Sequence, residues 1–188
     1  MSLGLQKTWY SKRSTPAGSM AATERASPWL ATAAIALPLA RGVGGYASFA
    51  QGLEDSGSAP GSASNRNQPL PASATRQIDA GLRWQIGREL VLVAGVFELS
   101  RPYFQFDADG RFSRLGDTRS RGLEFSLAGP LTSRLDILAG AVIGRTSVTG
   151  GAVRDGLVGS RAVGRPDGRG SIALEWQTPL ATGLRVNA

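Results

Sequence analysis

One polar segment of the sequence carries side chains that could bind another molecule. It contains four consecutive amide or cationic residues: Asn65, Arg66, Asn67 and Gln68. Amide and guanidinium groups donate hydrogen bonds to polar or anionic ligands, and ligand-binding residues often lie on loops. A solvated loop without a ligand role is the preferred interpretation, because the surrounding Ser, Gly, Asn and Pro residues favour turns. These four residues are the candidate ligand-binding residues of the chain.

A second polar segment contains three aspartates: Asp107, Asp109 and Asp117. Carboxylate oxygens are the ligands that Ca²⁺ prefers, so a calcium site is one interpretation. Their spacing does not match a known calcium-binding loop, and Asp is also a common turn residue. Turn formation is therefore the preferred interpretation, and we expect no metal site.

The residue types that most enzymes use for nucleophilic and acid–base chemistry are missing from the sequence. It contains no cysteine and no histidine. This composition excludes thiolate nucleophiles, disulfides and His-based triads or metal sites, and leaves no side chain with an ordinary pKa near neutrality. Acidic pairs such as Asp107 and Asp109 lack a partner that would tune them. We expect no catalytic residue and no cofactor, and hence no enzyme.

The chain is basic, with 21 Lys and Arg residues against 14 Asp and Glu residues. The basic residues are spread along the chain instead of forming one cluster, so we expect no nucleic-acid partner. Nearly all of them are arginine, whose planar guanidinium pairs with phosphate. Contact with phosphorylated lipid headgroups is one interpretation, and a simple compositional preference for arginine is the other.

Strict alternation of apolar and polar residues is the main structural signal. It extends through residues 76–86 and recurs in 121–128 and 171–177, and a period of two is typical of strands with two different faces. The apolar set is expected to face lipid: Ile78, Leu82, Trp84, Leu123, Phe125, Leu127, Ile172, Leu174 and Trp176. The polar set is expected to face a wet lumen: Gln77, Asp79, Arg83, Glu124 and Glu175.

Further strands are predicted from weaker patterns at residues 3–12, 29–37, 45–53, 90–100 and 135–143, with a last one starting at Leu184. Short turns are predicted at 39–44, 87–89, 129–133 and 179–183, and longer polar loops at 54–75, 107–117 and 149–167. The glycines at 150–151 and 164–170 are interpreted as turn glycines and not as a phosphate site, since no helix is expected after them. Segment 29–37 could alternatively be a signal-peptide core.

The predicted fold is all-β, with antiparallel transmembrane β-barrel strands. Strands of ten or more residues suit a tilted membrane crossing, and short turns alternating with long loops are typical of outer-membrane barrels. Mid-strand charges also suit a wet lumen. A soluble β-sandwich, a lipocalin-like binder and a small complete porin-like or adhesin barrel of about eight strands are the alternatives.

Four segments resemble successive barrel strands of TonB-dependent receptors of the siderophore type. They are YASFAQGLE at 46–54, LPA at 70–72 leading to QIDAGL at 77–82, VFELSRP at 96–102 and GDTRSRGLE at 116–124. They stand in the order in which the family has them.

The resemblance implies a larger outer-membrane barrel of about 22 strands, plugged by an N-terminal domain, that takes up a ligand such as a ferric siderophore. The expected partners are outer-membrane lipid, that ligand, and the TonB complex acting through the plug. The whole chain, residues 1–188, is interpreted as eight to nine strands of such a barrel. Because no plug, TonB-contacting box or terminal aromatic residue is recognisable, we expect the plug and the C-terminal strands to be missing. The expected location is the bacterial outer membrane.

Overall fold

The computed structural model describes residues 1–15, 22–161, 167–177 and 185–187. Eleven strands and one short helix are found in them: β1 Ser2–Lys7, β2 Tyr10–Ser14, β3 Ala22–Ala26, β4 Trp29–Ala40, β5 Val43–Glu54, β6 Ser73–Ile86, β7 Leu90–Phe106, β8 Phe112–Thr132, β9 Leu135–Thr149, α1 Gly151–Arg154, β10 Gly168–Gln177 and β11 Arg185–Asn187. No helix in these residues has the length and apolar character needed to span a bilayer.

Nine of the strands form one antiparallel sheet in the order β1-β4-β5-β6-β7-β8-β9-β10-β11, and β2 pairs with β3 separately. From β4 onward each strand pairs with its neighbour in sequence, so the sheet is an up-and-down meander. In the described residues β1 and β11 form its two edges, and the sheet is open. The predicted all-β fold of a partial barrel is confirmed.

The connections differ in length at the two ends of the sheet. Tight turns at 41–42, 87–89 and 133–134 lie at one end, here named the turn end. Segments 55–72 and 107–111 lie at the other, the loop end, together with residues 8–15, 22–28, 150–161 and 167. The predicted alternation of short and long connections is confirmed, whereas the turn predicted at 179–183 lies outside the described residues.

The pairing registers assign every strand residue to one of two faces, because directly opposed residues in antiparallel strands point to the same side. Ile78 of β6 opposes Phe49, and Leu82 opposes Ala94, which in turn opposes Phe125. Phe125 then opposes Ala141. The side of the sheet that carries Phe49, Ile78, Leu82 and Phe125 is named the apolar face. It contains all nine residues of the predicted lipid-facing set, and the five of the predicted lumen-facing set lie on the other side, the polar face.

The described part of the sheet has no central protein core. In the described residues the buried side chains are few: Leu30, Ala59, Ala63, Leu70, Ser73 and Val148. Large apolar side chains on the apolar face are instead open, with Leu82 at 50% and Ile172 at 69% of their full accessibility. A broad, continuous apolar surface of this kind is what a membrane or a partner covers.

Prolines disturb the ladder at the turn end. The register shifts between Pro38 and Ala40 in β4 and between Pro130 and Thr132 in β8. Proline has no N–H to donate to a neighbouring strand, so the regular ladder stops beside it. Strand β8 nevertheless continues to Thr132, and the predicted turn at 129–133 is wrong in its extent.

Several predicted boundaries are corrected. Residues 3–12 do not form one strand: β1 ends at Lys7, and Tyr10 begins the separate β2–β3 hairpin, which was not predicted. The loop predicted at 107–117 is wrong in its extent, because β7 and β8 pair as far as Phe106 and Phe112 and leave only residues 107–111 outside the strands. Segment 29–37 is a strand paired on both sides, which excludes the signal-peptide alternative.

Two glycine predictions are also corrected. The four-residue helix α1 follows Gly150, although no helix was expected there. Gly168 and Gly170 lie within strand β10 and not in a turn, whereas Gly164 lies outside the described residues.

Candidate functional site: the polar face and the loop end

A row of residues crosses the middle of the polar face from β5 to β8. Tyr46 opposes Gly81, Gly81 opposes Gly95, and Gly95 opposes Glu124. The Tyr46 side chain lies across both glycines, and its hydroxyl donates a hydrogen bond to Glu124 Oε1 at 3.3 Å. A Cβ atom at either glycine would lie 2.6 Å from that hydroxyl oxygen, so larger residues would displace the ring. The glycines therefore make room for a polar contact that ties four strands together.

A second polar group lies one row closer to the loop end. The Ser48 hydroxyl donates to Asp79 Oδ2 at 3.2 Å, and Gln77 Nε2 donates to Asp79 Oδ1 at 3.0 Å. Three residues of the predicted lumen set, Gln77, Asp79 and Glu124, thus lie in one region of the sheet. Arg83 lies nearer the turn end, and Glu175 lies on β10 opposite Asp136. Which medium each face meets stays a prediction.

The polar face is not uniformly polar. Phe97 and Leu99 of β7 oppose Asp79 and Gln77 and lie on the polar face, whereas Glu98 lies on the apolar face. Toward the loop end, β7 therefore places apolar side chains on the polar face and a charged side chain on the apolar face, the opposite of the neighbouring β6. Gly122 opposes Phe97, and a Cβ atom there would lie 2.9 Å from the Phe97 ring. Aromatic rings packed over glycines therefore occur twice on this face. The alternation of apolar and polar residues in the sequence gave no signal for this packing.

Segment 55–72 at the loop end has a small core of its own. Ala59, Ala63 and Leu70 are buried, and Phe104 and Phe112 from the ends of β7 and β8 pack against them. The two rings stack with centroids 6.4 Å apart. The segment falls within the polar loop predicted at residues 54–75. The structure shows a segment that is packed onto the β7–β8 hairpin.

The four candidate ligand-binding residues have different surroundings. The Asn65 side chain donates to the Phe112 carbonyl at 3.0 Å and accepts from the Phe112 N–H at 2.8 Å. Gln68 Oε1 accepts from Arg111 at 3.4 Å. Arg66 and Asn67 are exposed, and their side chains have no polar partner in the described residues. Asn67 also has a left-handed backbone with φ 59°. Asn65 and Gln68 therefore hold the loop to the hairpin, while Arg66 and Asn67 are open to solvent.

Asp107 organises the turn between β7 and β8. Its carboxylate accepts hydrogen bonds from the N–H groups of Arg111 at 2.9 Å and Asp109 at 3.1 Å, and from the Ser113 hydroxyl at 3.1 Å. The Arg111 hydrogen bond, followed by those from Ser113 and Asp109, lowers the pKa of Asp107 below its ordinary value.

Asp117, the third residue of the aspartate segment, does not join Asp107. It pairs with Arg114 at 2.6 Å. The described residues contain no group of three His, Cys, Asp or Glu side chains that could hold a metal ion. The geometry of Asp107 fits the turn interpretation of this segment.

The β2–β3 hairpin is joined to segment 55–72 by an ion pair. Lys12 Nζ lies 2.9 Å from Asp55 Oδ2. The Gly57 N–H and Lys12 both donate to Asp55, and they lower the pKa of its carboxyl. In the described residues the β2–β3 hairpin, segment 55–72 and the β7–β8 hairpin are thus connected to one another at the loop end.

Comparison with known proteins identifies the family of this chain, whose open sheet has one apolar and one polar face. The profile of a family described as "TonB dependent receptor-like, beta-barrel" matches residues 2–188. The chain belongs to this family of TonB-dependent receptor β-barrels, which are proteins of the bacterial outer membrane.

Solved structures show the same fold at low sequence identity. The ferric preacinetobactin receptor BauA of Acinetobacter baumannii is 23% identical with a TM-score of 0.67, and the match covers 95% of this chain and 27% of that one. The ferric-catecholate import receptor Fiu of E. coli is 18% identical with a TM-score of 0.67, covering 98% and 30%. The siderophore receptor PiuA of A. baumannii is 17% identical with a TM-score of 0.69, covering 93% and 28%.

The chain therefore spans between a quarter and a third of the length of these receptors. A search of curated proteins found no match.

Proposed function

We propose that this chain forms part of the wall of an outer-membrane receptor that takes up a scarce ligand of the ferric siderophore type. The observation that carries the proposal is the separation of the sheet into an open apolar face and a polar face with mid-strand charges, with the long segments at one end. A lipid-exposed exterior and a wet interior require this separation. Family membership and siderophore receptors among the structures of similar fold support it.

The predicted faces give the proposed roles of the two residue sets. The apolar set around Leu82 and Phe125 meets outer-membrane lipid, and the polar set around Asp79 and Glu124 lines the interior. At the loop end, Arg66 and Asn67 are the proposed ligand contacts of the four candidates, because their side chains are exposed and unengaged in the described residues. Asn65 and Gln68 act by holding that loop in position.

The proposal includes two partners outside the described sheet. A plug domain fills the barrel that this wall belongs to, and the TonB complex supplies energy through that plug. The role is transport and not catalysis, which agrees with the transport receptors among the similar folds.

Uptake by iron-limited cells tests the proposal. Cells lacking the gene are expected to lose uptake of at least one radiolabelled ferric siderophore, and the gene on a plasmid is expected to restore it. The restored uptake should stop when TonB is deleted. If deletion of the gene changes the uptake of none of a panel of ferric siderophores, the proposal is overturned. Restored uptake that persists without TonB would instead support a porin-like barrel.

A further inference from the structure

Four arginines lie together on the apolar face, at its border toward the loop end. Their positions follow from two neighbouring cross-strand rows of the sheet. One row runs from Arg76 through Ser100 to Arg119, and the next runs from Ile78 through Glu98 and Arg121 to Arg145. Arg76, Arg119, Arg121 and Arg145 are named the border arginines. They are exposed or half-exposed, with the Arg121 side chain at 63% and Arg119 at 43%.

In the described residues the border arginines are only partly neutralised. Glu98 alone pairs with two of them, Arg119 at 3.4 Å and Arg121 more closely. Arg76 and Arg145 have no ion pair in the described residues. Another nearby carboxylate on this face, Asp117, pairs with Arg114 instead. An excess of positive charge therefore remains on one small area.

Arg121 and Arg145 oppose each other directly across β8 and β9. Like charges in directly opposed positions destabilise a sheet, since their side chains start only about 5 Å apart. A bound anion between the two guanidinium groups would convert this repulsion into attraction. A guanidinium group binds carboxylate or phosphate oxygens in a bidentate manner. Phosphate fits the space between two guanidinium groups better than a carboxylate, because its larger number of oxygens can pair with both groups at once.

The border arginines stand at the edge of the apolar face. The next row toward the turn end is Val96, Leu123 and Ile143, and all three side chains are exposed. Two strand residues span about 7 Å, so an anion at Arg121 lies within one headgroup length of this surface. The anion and the apolar surface can therefore belong to one molecule, which has a phosphorylated headgroup and hydrocarbon chains.

We propose that the border arginines bind the phosphate groups of a membrane lipid whose chains lie on the apolar face. This inference rests on the membrane location proposed above. The imported ligand is not a candidate occupant, because the border arginines lie on the face opposite to Asp79 and Glu124.

Lipid retention by the protein taken directly from its membrane tests the inference. The protein is extracted in polymer-bounded lipid discs and exchanged against excess phosphatidylcholine vesicles containing diphosphorylated lipid A. The lipid A retained per protein is then measured by mass spectrometry. Arg121→Gln with Arg145→Gln is expected to lower retention about tenfold, since two charge-assisted contacts are lost. Arg88→Gln with Arg134→Gln makes the same charge change in exposed turns and should leave retention unchanged.

A further variant separates binding from folding. Arg145→Glu places a carboxylate opposite Arg121, so the two side chains attract each other. This variant should insert into the membrane to the same extent as the unmodified protein, while its retention of lipid A falls. Equal retention in all variants would overturn the inference. So would complete displacement of lipid A by inorganic phosphate at cellular concentration, which would identify free phosphate as the occupant.

Membrane insertion is checked separately by quenching of tryptophan fluorescence with brominated lipid. Trp84 and Trp176 on the apolar face are the expected reporters. If the tryptophan fluorescence is quenched but the retention of lipid A does not depend on the border arginines, the lipid site alone is overturned. Absence of quenching in the unmodified protein would overturn the membrane location and the lipid site together.

Discussion

Phe125 and Ser126 are adjacent in β8 but lie on opposite faces of the sheet, so they report on the two environments at the same depth. Phe125 lies between Ala94 and Ala141, and Ser126 between Val93 and Gly140. In a closed barrel containing these strands, Phe125→Arg is expected to destabilise by about 2 to 4 kcal/mol, since a charge enters the hydrocarbon. Ser126→Arg should cost far less, because its side chain enters a polar interior near Glu124.

The free energy of unfolding of both variants is measured in lipid vesicles by denaturant titration. The two positions share strand and depth and differ mainly in the side they present. Equal losses, or a larger loss for Ser126→Arg, would mean that the apolar face packs against protein.

The Asp107 turn is expected to respond to acid. Its pKa is lowered in the folded turn, chiefly by the Arg111 N–H. A lowered folded-state pKa means that the carboxylate stabilises the turn above the ordinary aspartate value of about 4. This stabilisation is lost as the pH falls through the folded-state pKa. The amide chemical shifts of Asp109 and Arg111 should therefore move together below about pH 4. Asp107→Asn should remove that transition; its persistence in this variant would exclude Asp107 as the cause.

At the scale of elements, segment 55–72 and the β7–β8 hairpin behave as one unit. Asn65 joins them by two hydrogen bonds to Phe112. Asn65→Ala removes both and leaves the Phe112 N–H without its acceptor, which should weaken the docking by about 1 to 3 kcal/mol. Faster amide hydrogen exchange at Ala59 and Leu70, whose N–H groups bond within the segment, is the expected result.

Arg66→Ala is the matched control for this change. Arg66 adjoins Asn65 and is exposed without a side-chain partner in the described residues, so its loss should alter exchange little. If Asn65→Ala leaves exchange at Ala59 and Leu70 unchanged, the apolar core with Phe104 and Phe112 holds the segment by itself.

For the whole molecule, the open sheet predicts the behaviour of the 188-residue chain alone. Strands β1 and β11 are its edges in the described residues, and their free backbone groups would be unsatisfied in hydrocarbon. The isolated chain is therefore expected to aggregate on refolding into detergent, as measured by size-exclusion chromatography. A monodisperse monomer whose electrophoretic mobility changes on heating would support a small complete barrel instead.

The sequence by itself determined the strands and the division of their residues between two faces. In β6 the eleven alternating residues 76–86 could be assigned without knowing any neighbour, because a strand alternates its side chains whatever it pairs with. The same local rule predicted strands in β8 and β10. Weaker patterns and turn residues predicted the other strands of the large sheet and its alternating connections, but not the separate β2–β3 hairpin. Composition alone also determined that the chain has no disulfide and no site built on histidine or cysteine, since it contains neither residue.

Tertiary structure decided what depends on register and on contacts between distant segments. Tyr46 reaches Glu124 only because Gly81 and Gly95 lie between them, and Arg121 opposes Arg145 only in the observed pairing of β8 with β9. The packing of segment 55–72 on Phe104 and Phe112 likewise joins residues more than 30 positions apart. Sequence periodicity carries no information on such pairs, because cross-strand neighbours are fixed by turn lengths, bulges and side-chain volume, which are satisfied only when the whole sheet forms.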